Sequence, residues 1–366
     1  ICILVGMMLL VAVIKNSGIF EYIAIKAAKI AKGRPWPIMV IFIFITAVCS
    51  GMLDNVTTVL LVGPMTLAIT NILKVDPVPY IITQIMASNI GGTATLIGDP
   101  PNIMIGSAAK LSFVDFILNT GVATVFVIIV GLICMYFIYG RKLFVTDESI
   151  VKVMQLDENK AIKDRKLMHE SVIVIILVAL CFIFHDQLGV QSCTVAIAAA
   201  CIMLLIGGQE PEEIIADVEW PTILFFIGLF IVVGGMKKVG VITMLANGLI
   251  SITHGNMVVT MMVILWVSAI VSSFLDNIPF VATLIPMILT MQSEGMDVTP
   301  IWWALSLGAC LGGNGTLIGA SANVVLSGIS KNNGHPITFG QYFKIGFPMM
   351  ILSIIVCSVF LLIRFA

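Results

Sequence analysis

Charge is what this sequence has least of. Only 11% of its 366 residues are Asp, Glu, Lys or Arg, whereas a soluble domain carries about 25% because its surface faces water. That shortage excludes an ordinary water-soluble domain and, with it, an extended basic face for nucleic acid. Metal-type cysteine spacing is missing as well. The eight cysteines (Cys2, Cys49, Cys134, Cys181, Cys193, Cys201, Cys310, Cys357) are scattered with no CxxC and read as small packing residues. Of the four histidines, His169 and His185 fall at the ends of expected spans and His254 and His335 in loops, which points to no catalytic or metal role. No Gly-Lys-Ser/Thr follows a Gly-rich stretch, so a Walker-type loop is excluded. There is no ATP-binding module, dehydrogenase fingerprint, basic leader or initial Met. Ile1 already lies inside an apolar run, which reads as the interior of a longer protein.

Apolar residues dominate instead, at 59%. Charge-poor runs such as Phe116–Tyr139 and Ile345–Ile363 reach the roughly 20 residues needed to cross a bilayer. The expected class is an all-α polytopic membrane protein.

Within it lies an internal repeat. At an offset of 222, Gly6 falls on Gly228, Lys15 on Lys237, Gly18 on Gly240 and Pro64 on Pro286. The block Ser50-Gly51-Met52-Leu53-Asp54-Asn55-Val56 falls on Ser272-Ser273-Phe274-Leu275-Asp276-Asn277-Ile278. One residue of slip later, Gly91-Gly92-Thr93-Ala94-Thr95-Leu96-Ile97-Gly98 meets Gly312-Gly313-Asn314-Gly315-Thr316-Leu317-Ile318-Gly319, and Asn102 meets Asn323. Three collinear blocks with rare polar residues in register mark a duplication.

Each copy reads as one series of elements. An apolar helix (to about Ile14; Trp220–Met236) ends at a Lys and a Gly. A short amphipathic, interfacial segment follows (Ile19–Ala31; Val241–Thr253). Next comes a segment with Asp-Asn at its centre (Pro37–Leu73; Asn256–Gln292), whose arms look too short for two full spans. It is therefore expected to be a re-entrant hairpin. A helix broken by glycines and an uninterrupted span (Phe116–Tyr139; Tyr342–Ile363) close the unit. Irregular backbone at membrane depth is tolerated only where it faces protein or a water-filled cavity. The expected organisation is a first repeat over 1–139, a charged loop over 140–168, two linking spans and a connection over 169–219, and a second repeat over 220–366. The loop holds Arg141, Lys142, Lys152, Lys160, Lys163, Arg165 and Lys166 and is expected to be cytoplasmic. An odd number of crossings then separates the repeats, so they are expected to be inverted, with a site where they meet at mid-bilayer. The remaining charges there and in Gly207–Glu219 read as solvated connections.

Asp54 and Asp276 are the first candidate site residues. A charge in such apolar surroundings costs about 3 kcal/mol or more, and both sit at matching repeat positions followed by Asn55 and Asn277. A carboxylate at a hairpin tip can bind Na⁺ or a proton. Thr57 and Thr58 add oxygens in the first copy, where the second has Pro279 and Phe280. The broken helices are next: Ser88, Asn89, Gly91, Gly92, Thr93, Thr95, Asp99 and Asn102 in one copy, Gly312, Gly313, Asn314, Thr316 and Asn323 in the other. Prolines and glycines there forbid continuous helix, and unwinding frees carbonyls for cations and N–H groups for anions. Asp99-Pro100-Pro101 faces Ala320-Ser321-Ala322 in the repeat. The first copy is expected to hold the better-defined cation or proton site, and the asymmetry to decide substrate identity.

The stretches LDNVTTVLLVGPMTLAI (Leu53–Ile69), SNIGGTATLIGDPPNIMI (Ser88–Ile105), LDNIPFVATLIPM (Leu275–Met287) and GACLGGNGTLIGASANVV (Gly308–Val325) resemble the ion transporter superfamily. They look closest to its branch of ArsB arsenite permeases and pink-eyed-dilution P proteins, on the P-protein side. The resemblance covers nearly the whole chain. It implies a citrate transporter-like fold and a homodimer, each protomer with a scaffold and an elevator-type transport domain, in the plasma membrane. An ATPase partner is also implied by the arsenite permeases. Dicarboxylate members carry Ser-Asn-Thr at the tips and bind Na⁺ there. Asp54 and Asp276 in those places would repel a dicarboxylate unless Na⁺ or H⁺ neutralises them.

The expected function is secondary transport of a small inorganic ion or oxyanion, arsenite-type or other anion, coupled to Na⁺ or H⁺. An Na⁺/H⁺ antiporter and a passive anion channel are the alternatives. An intramembrane aspartyl protease also needs two membrane aspartates, held close together, but the chain has no Gly-x-Gly-Asp; Ile97-Gly98-Asp99 lacks the first glycine.

Overall fold

The computed structural model describes residues 1–366, except the side chains of residues 185, 186 and 188; His185 therefore lies outside the described residues. Among the described residues the chain is all-helical, without strands. The helices run α1 (Cys2–Lys15), α2 (Ile19–Ile30), α3 (Pro35–Met52), α4 (Asn55–Leu73), α5 (Val78–Thr93), α6 (Pro100–Ala109), α7 (Phe113–Phe116) and α8 (Val122–Ile138). Then come α9 (Asp147–Met154), α10 (Arg165–Leu188), α11 (Ser192–Ile206), α12 (Pro211–Ala216), α13 (Trp220–Lys238) and α14 (Val241–Thr253). The last five are α15 (Met257–Phe274), α16 (Asn277–Ser293), α17 (Thr299–Gly312), α18 (Ser321–Asn332) and α19 (Phe339–Phe365). Seven helices among the described residues are long and apolar enough to cross a membrane, or eight if the bent pair α1–α2 is one span.

The arms of the first Asp-Asn segment differ from the expectation. At 18 and 19 residues, α3 and α4 each qualify as a span, about 27–29 Å at 1.5 Å per residue. Arm length therefore gives no support for a re-entrant hairpin. The junction does bear on the question: Asp54 and Asn55 are 4% and 3% exposed, whereas a turn at the membrane surface would face water.

The chain divides into two compact units, Ile1–Ser88 with Leu132–Trp220 and Val325–Pro336, and Asn89–Gly131 with Pro221–Val324 and Ile337–Ala366. In the first, α1 packs on α11 so closely that a Cβ on Gly6 would lie 2.7 Å from the backbone carbon of Ala196. Gly18 turns the chain between α1 and α2 at φ 80°, a conformation open to glycine at little cost; its repeat partner Gly240 has the same φ before α14.

The charged loop is more ordered than a solvated connection. Its helix α9 packs on α2 and α4, Lys163 N–H donates to the Ser17 carbonyl (3.0 Å), and Lys29 Nζ donates to Glu158 Oε2 (2.6 Å). That hydrogen bond holds the Glu158 carboxyl below its usual range. A carboxyl with a depressed value contributes stability above its unfolded value and loses it as the pH falls through the folded one. Protection of residues 157–163 from hydrogen exchange, taken relative to the intrinsic rate at each pH, is therefore expected to fall as the pH drops below the ordinary glutamate value of about 4.3. No such change is expected between neutral pH and that point.

In the second unit α17 is the centre, with every residue of Pro300–Gly312 buried. It packs on α15, α19 and α6, with Trp303 edge-to-face on Phe116 at 5.3 Å. The α15–α17 pair meets through glycines. A Cβ on Gly312 would stand 2.6 Å from the Ala269 carbonyl oxygen and 2.8 Å from its Cα, and one on Gly308 2.5 Å from the Leu265 carbonyl oxygen. Helix backbone cannot yield as a flexible side chain can. Gly312→Ala is expected to destabilise the protein by about 1–3 kcal/mol, read as a lowered melting temperature in detergent.

Candidate functional site

Of the expected site residues, Asp54, Asn55, Thr57, Thr58 and Ser88 belong to the first unit and all the others to the second. In the first, Asp54 caps α4: Oδ1 accepts from Thr57 N–H (2.7 Å) and Oδ2 from the Thr57 hydroxyl (2.6 Å). Asp is a favoured N-cap because its carboxylate satisfies an otherwise orphaned helix donor. Two such bonds do not neutralise a charge, and among the described residues no Lys or Arg pairs with Asp54. Thr58 Oγ1, one turn into α4, is buried with no protein partner, as are Thr46 Oγ1 and Gln84 Oε1. Below the tip the Ser50 hydroxyl donates to the Ser88 carbonyl (2.6 Å) and Gln84 Nε2 to Thr66 Oγ1.

The second unit repeats part of this and adds both helix breaks. Asp276 caps α16, accepting from Ile278 N–H (3.1 Å) at Oδ1 and from the Ser321 hydroxyl (2.8 Å) at Oδ2. The Ser272 hydroxyl donates to the Ala309 carbonyl at 2.6 Å, the counterpart of Ser50 on Ser88. The Ser273 hydroxyl donates to the Gly312 carbonyl (3.0 Å). Asn277 Nδ2 donates to both Asp99 oxygens (3.3 and 3.2 Å).

The helix breaks are held by asparagines. Asn102 Nδ2 donates to the carbonyls of Gly92 (3.3 Å), Thr93 (3.2 Å) and Thr95 (2.9 Å). Asn323 Nδ2 donates to those of Gly313 (2.7 Å) and Thr316 (2.8 Å), the repeat partners of Gly92 and Thr95. On the acceptor side, the Ser306 hydroxyl reaches Asn102 Oδ1 at 2.6 Å. Asn89 Nδ2 reaches both Asn314 Oδ1 (2.9 Å) and Asn323 Oδ1 (2.8 Å). Thr93 Oγ1 donates to the Asn89 carbonyl (2.6 Å), and the Gly91 carbonyl accepts from Ala94 N–H (3.0 Å). Asn89, Asn102 and Asn323 are fully buried. Each staple satisfies carbonyls that a broken helix leaves over.

Around Gly319 several carbonyls converge. A Cβ there would stand 2.7 Å from the Gly313 oxygen and 3.0 Å from those of Ser272 and Ser273. Two of these close the last turn of α15, so the second helix break passes so close to that helix end that only a glycine fits at 319. Sequence reading missed Ser50, Gln84, Ser272, Ser273, Ser306 and Ser321. Ser50 and Ser272 were visible in the repeat alignment but carried no charge to single them out. Among the described residues, no group of three or more His, Cys, Asp or Glu could hold a metal ion.

The sequence model described as citrate transporter matches residues 1–308. The chain belongs to the citrate transporter family. It is 42% identical to an uncharacterized transporter of Mycobacterium tuberculosis over 369 residues, covering all of this chain and 86% of the relative. A 46 kDa membrane protein of Mycobacterium leprae is 39% identical over 368 residues, with the same coverage. The human P protein is 31% identical over 443 residues, matching 99% of this chain but 53% of its own length. The expected kinship with P proteins is thus met. Family and helices together make the chain a multi-pass membrane transporter.

Proposed function

We propose that the chain is a secondary transporter of a small inorganic ion or oxyanion, coupled to Na⁺ or H⁺ through Asp54 and Asp276, in the plasma membrane. The observation that carries this reading is the Asp54 carboxylate, 4% exposed and without a Lys or Arg partner among the described residues. A buried carboxylate with no fixed counter-charge needs a mobile one, either a metal cation or a proton. Asp54 has the Thr58 hydroxyl one turn away, and Asp276 has Ser321 beside it; both surroundings offer oxygen. We read the two Asp-Asn junctions as hairpin tips inside inverted repeats.

The family match favours a second reading, citrate as substrate. Asp54, Asp99 and Asp276 would repel a tricarboxylate, so citrate would enter only with its charge offset by a bound cation. Uptake of labelled arsenite and citrate into proteoliposomes, with and without Na⁺ and pH gradients, separates the readings. Accumulation of arsenite or another oxyanion only under a gradient is expected. Equal uptake without any gradient would refute coupling, and uptake of citrate alone would establish the second reading.

A further inference from the structure

We propose that Asp99 orients the Asn277 amide so that the second Asp-Asn junction presents oxygen, which fits that junction for a cation. This deepens the cation reading above and rests on it. The starting point is a local oddity. An Asp before a helix normally accepts from the second or third helical N–H. After Asp99 come Pro100 and Pro101, which have no N–H, and Asn102 N–H donates to the Asp99 backbone carbonyl (2.9 Å). The carboxylate accordingly makes no cap bond to α6. Its two oxygens take Asn277 Nδ2 instead, at 3.3 and 3.2 Å.

Both residues are buried, Asp99 fully and Asn277 at 2% exposure. Both Asp99 oxygens accept from Asn277 Nδ2, so the amide turns its NH₂ that way and carries Oδ1 on its other arm. One NH₂ group shared between the two oxygens sets the orientation by matching donor to acceptors. The neighbouring Asp276 is fixed independently by Ile278 N–H and Ser321. The duplication supplies this device once: Ala320 stands at the position of Asp99, and Ser321-Ala322 replace the two prolines. A carboxylate from the first copy therefore sets the chemistry of the second copy's junction.

The test is the melting temperature of the purified full chain in detergent, titrated with NaCl against choline chloride, together with gradient-driven uptake. Wild type is expected to be stabilised by Na⁺. Asp99→Asn, whose amide can donate as well as accept, leaves the Asn277 orientation unset. It is expected to raise the half-saturating Na⁺ concentration by about tenfold, the scale of one lost bond to a charged group, with little change in choline. Asp99→Glu is expected to restore most of the Na⁺ response, which a merely structural role would not do. Asp99→Ser makes the same comparison if Asp99→Asn does not fold. An unchanged half-saturation in both would overturn the orienting role while leaving the cation reading intact. A wild type whose melting ignores Na⁺ would overturn it too; uptake that then still follows a pH gradient would keep coupled transport standing.

Discussion

Asp54→Asn is expected to abolish gradient-driven uptake, by about 100-fold or more, while the protein melts at a higher temperature. The two effects have one cause. Asn keeps an oxygen to accept from Thr57 N–H and so retains the cap on α4. What it removes is a charge that costs about 3 kcal/mol in apolar surroundings and that no Lys or Arg among the described residues offsets. Losing that cost stabilises the fold; losing the charge leaves the coupling ion without its counter-ion. A carboxylate serving the fold alone would give the opposite stability result, a lower melting temperature with uptake falling only in step with folded protein. Melting curves and uptake measured on one preparation distinguish these cases.

Asn102→Asp is expected to be among the most damaging single substitutions. The Nδ2 group donates to three carbonyls at the first helix break; a carboxylate oxygen in its place would face three oxygens. An uncompensated buried charge costs about 3–5 kcal/mol, a large share of the roughly 5–15 kcal/mol that holds a typical domain together. Little folded protein is expected by size-exclusion chromatography. Asn323→Asp meets two carbonyls rather than three and is expected to be milder, retaining some folded material. Ser306→Ala removes only a donor to Asn102 Oδ1 and is expected to cost about 1–3 kcal/mol.

Much of the helix pattern was legible because duplication doubled each signal. The amphipathic segment expected over Val241–Thr253 is α14, and that over Ile19–Ala31 is α2 to within a residue. Lysine and glycine at matched positions marked the turns before them, both at φ 80°. The arms of the first hairpin were misjudged, since apolar content does not reveal where a helix begins, and α3 starts at Pro35 as an unbroken span. The partners of the site residues were not legible at all. Asn102 and Ser306, or Asp99 and Asn277, are separated by 204 and 178 residues, beyond any local periodicity. Asp99 was singled out as part of the helix broken by glycines and prolines, and the asymmetry with Ala320 was visible. That its carboxylate would face the other copy's Asn277 needed the fold, because the missing cap donors explain only why it is released.

The central claim is that a cation or proton, held by oxygen, answers the carboxylates of Asp54 and Asp276. The most direct measurement is a high-resolution map of the membrane-embedded protein in Na⁺ and in choline. The expected result is Na⁺-dependent density touched by carboxylate, hydroxyl or carbonyl oxygens, at Asp54 with Thr58 or at Asp276 with Ser321. Density contacted only by amide and backbone N–H groups, unchanged by choline, would contradict it.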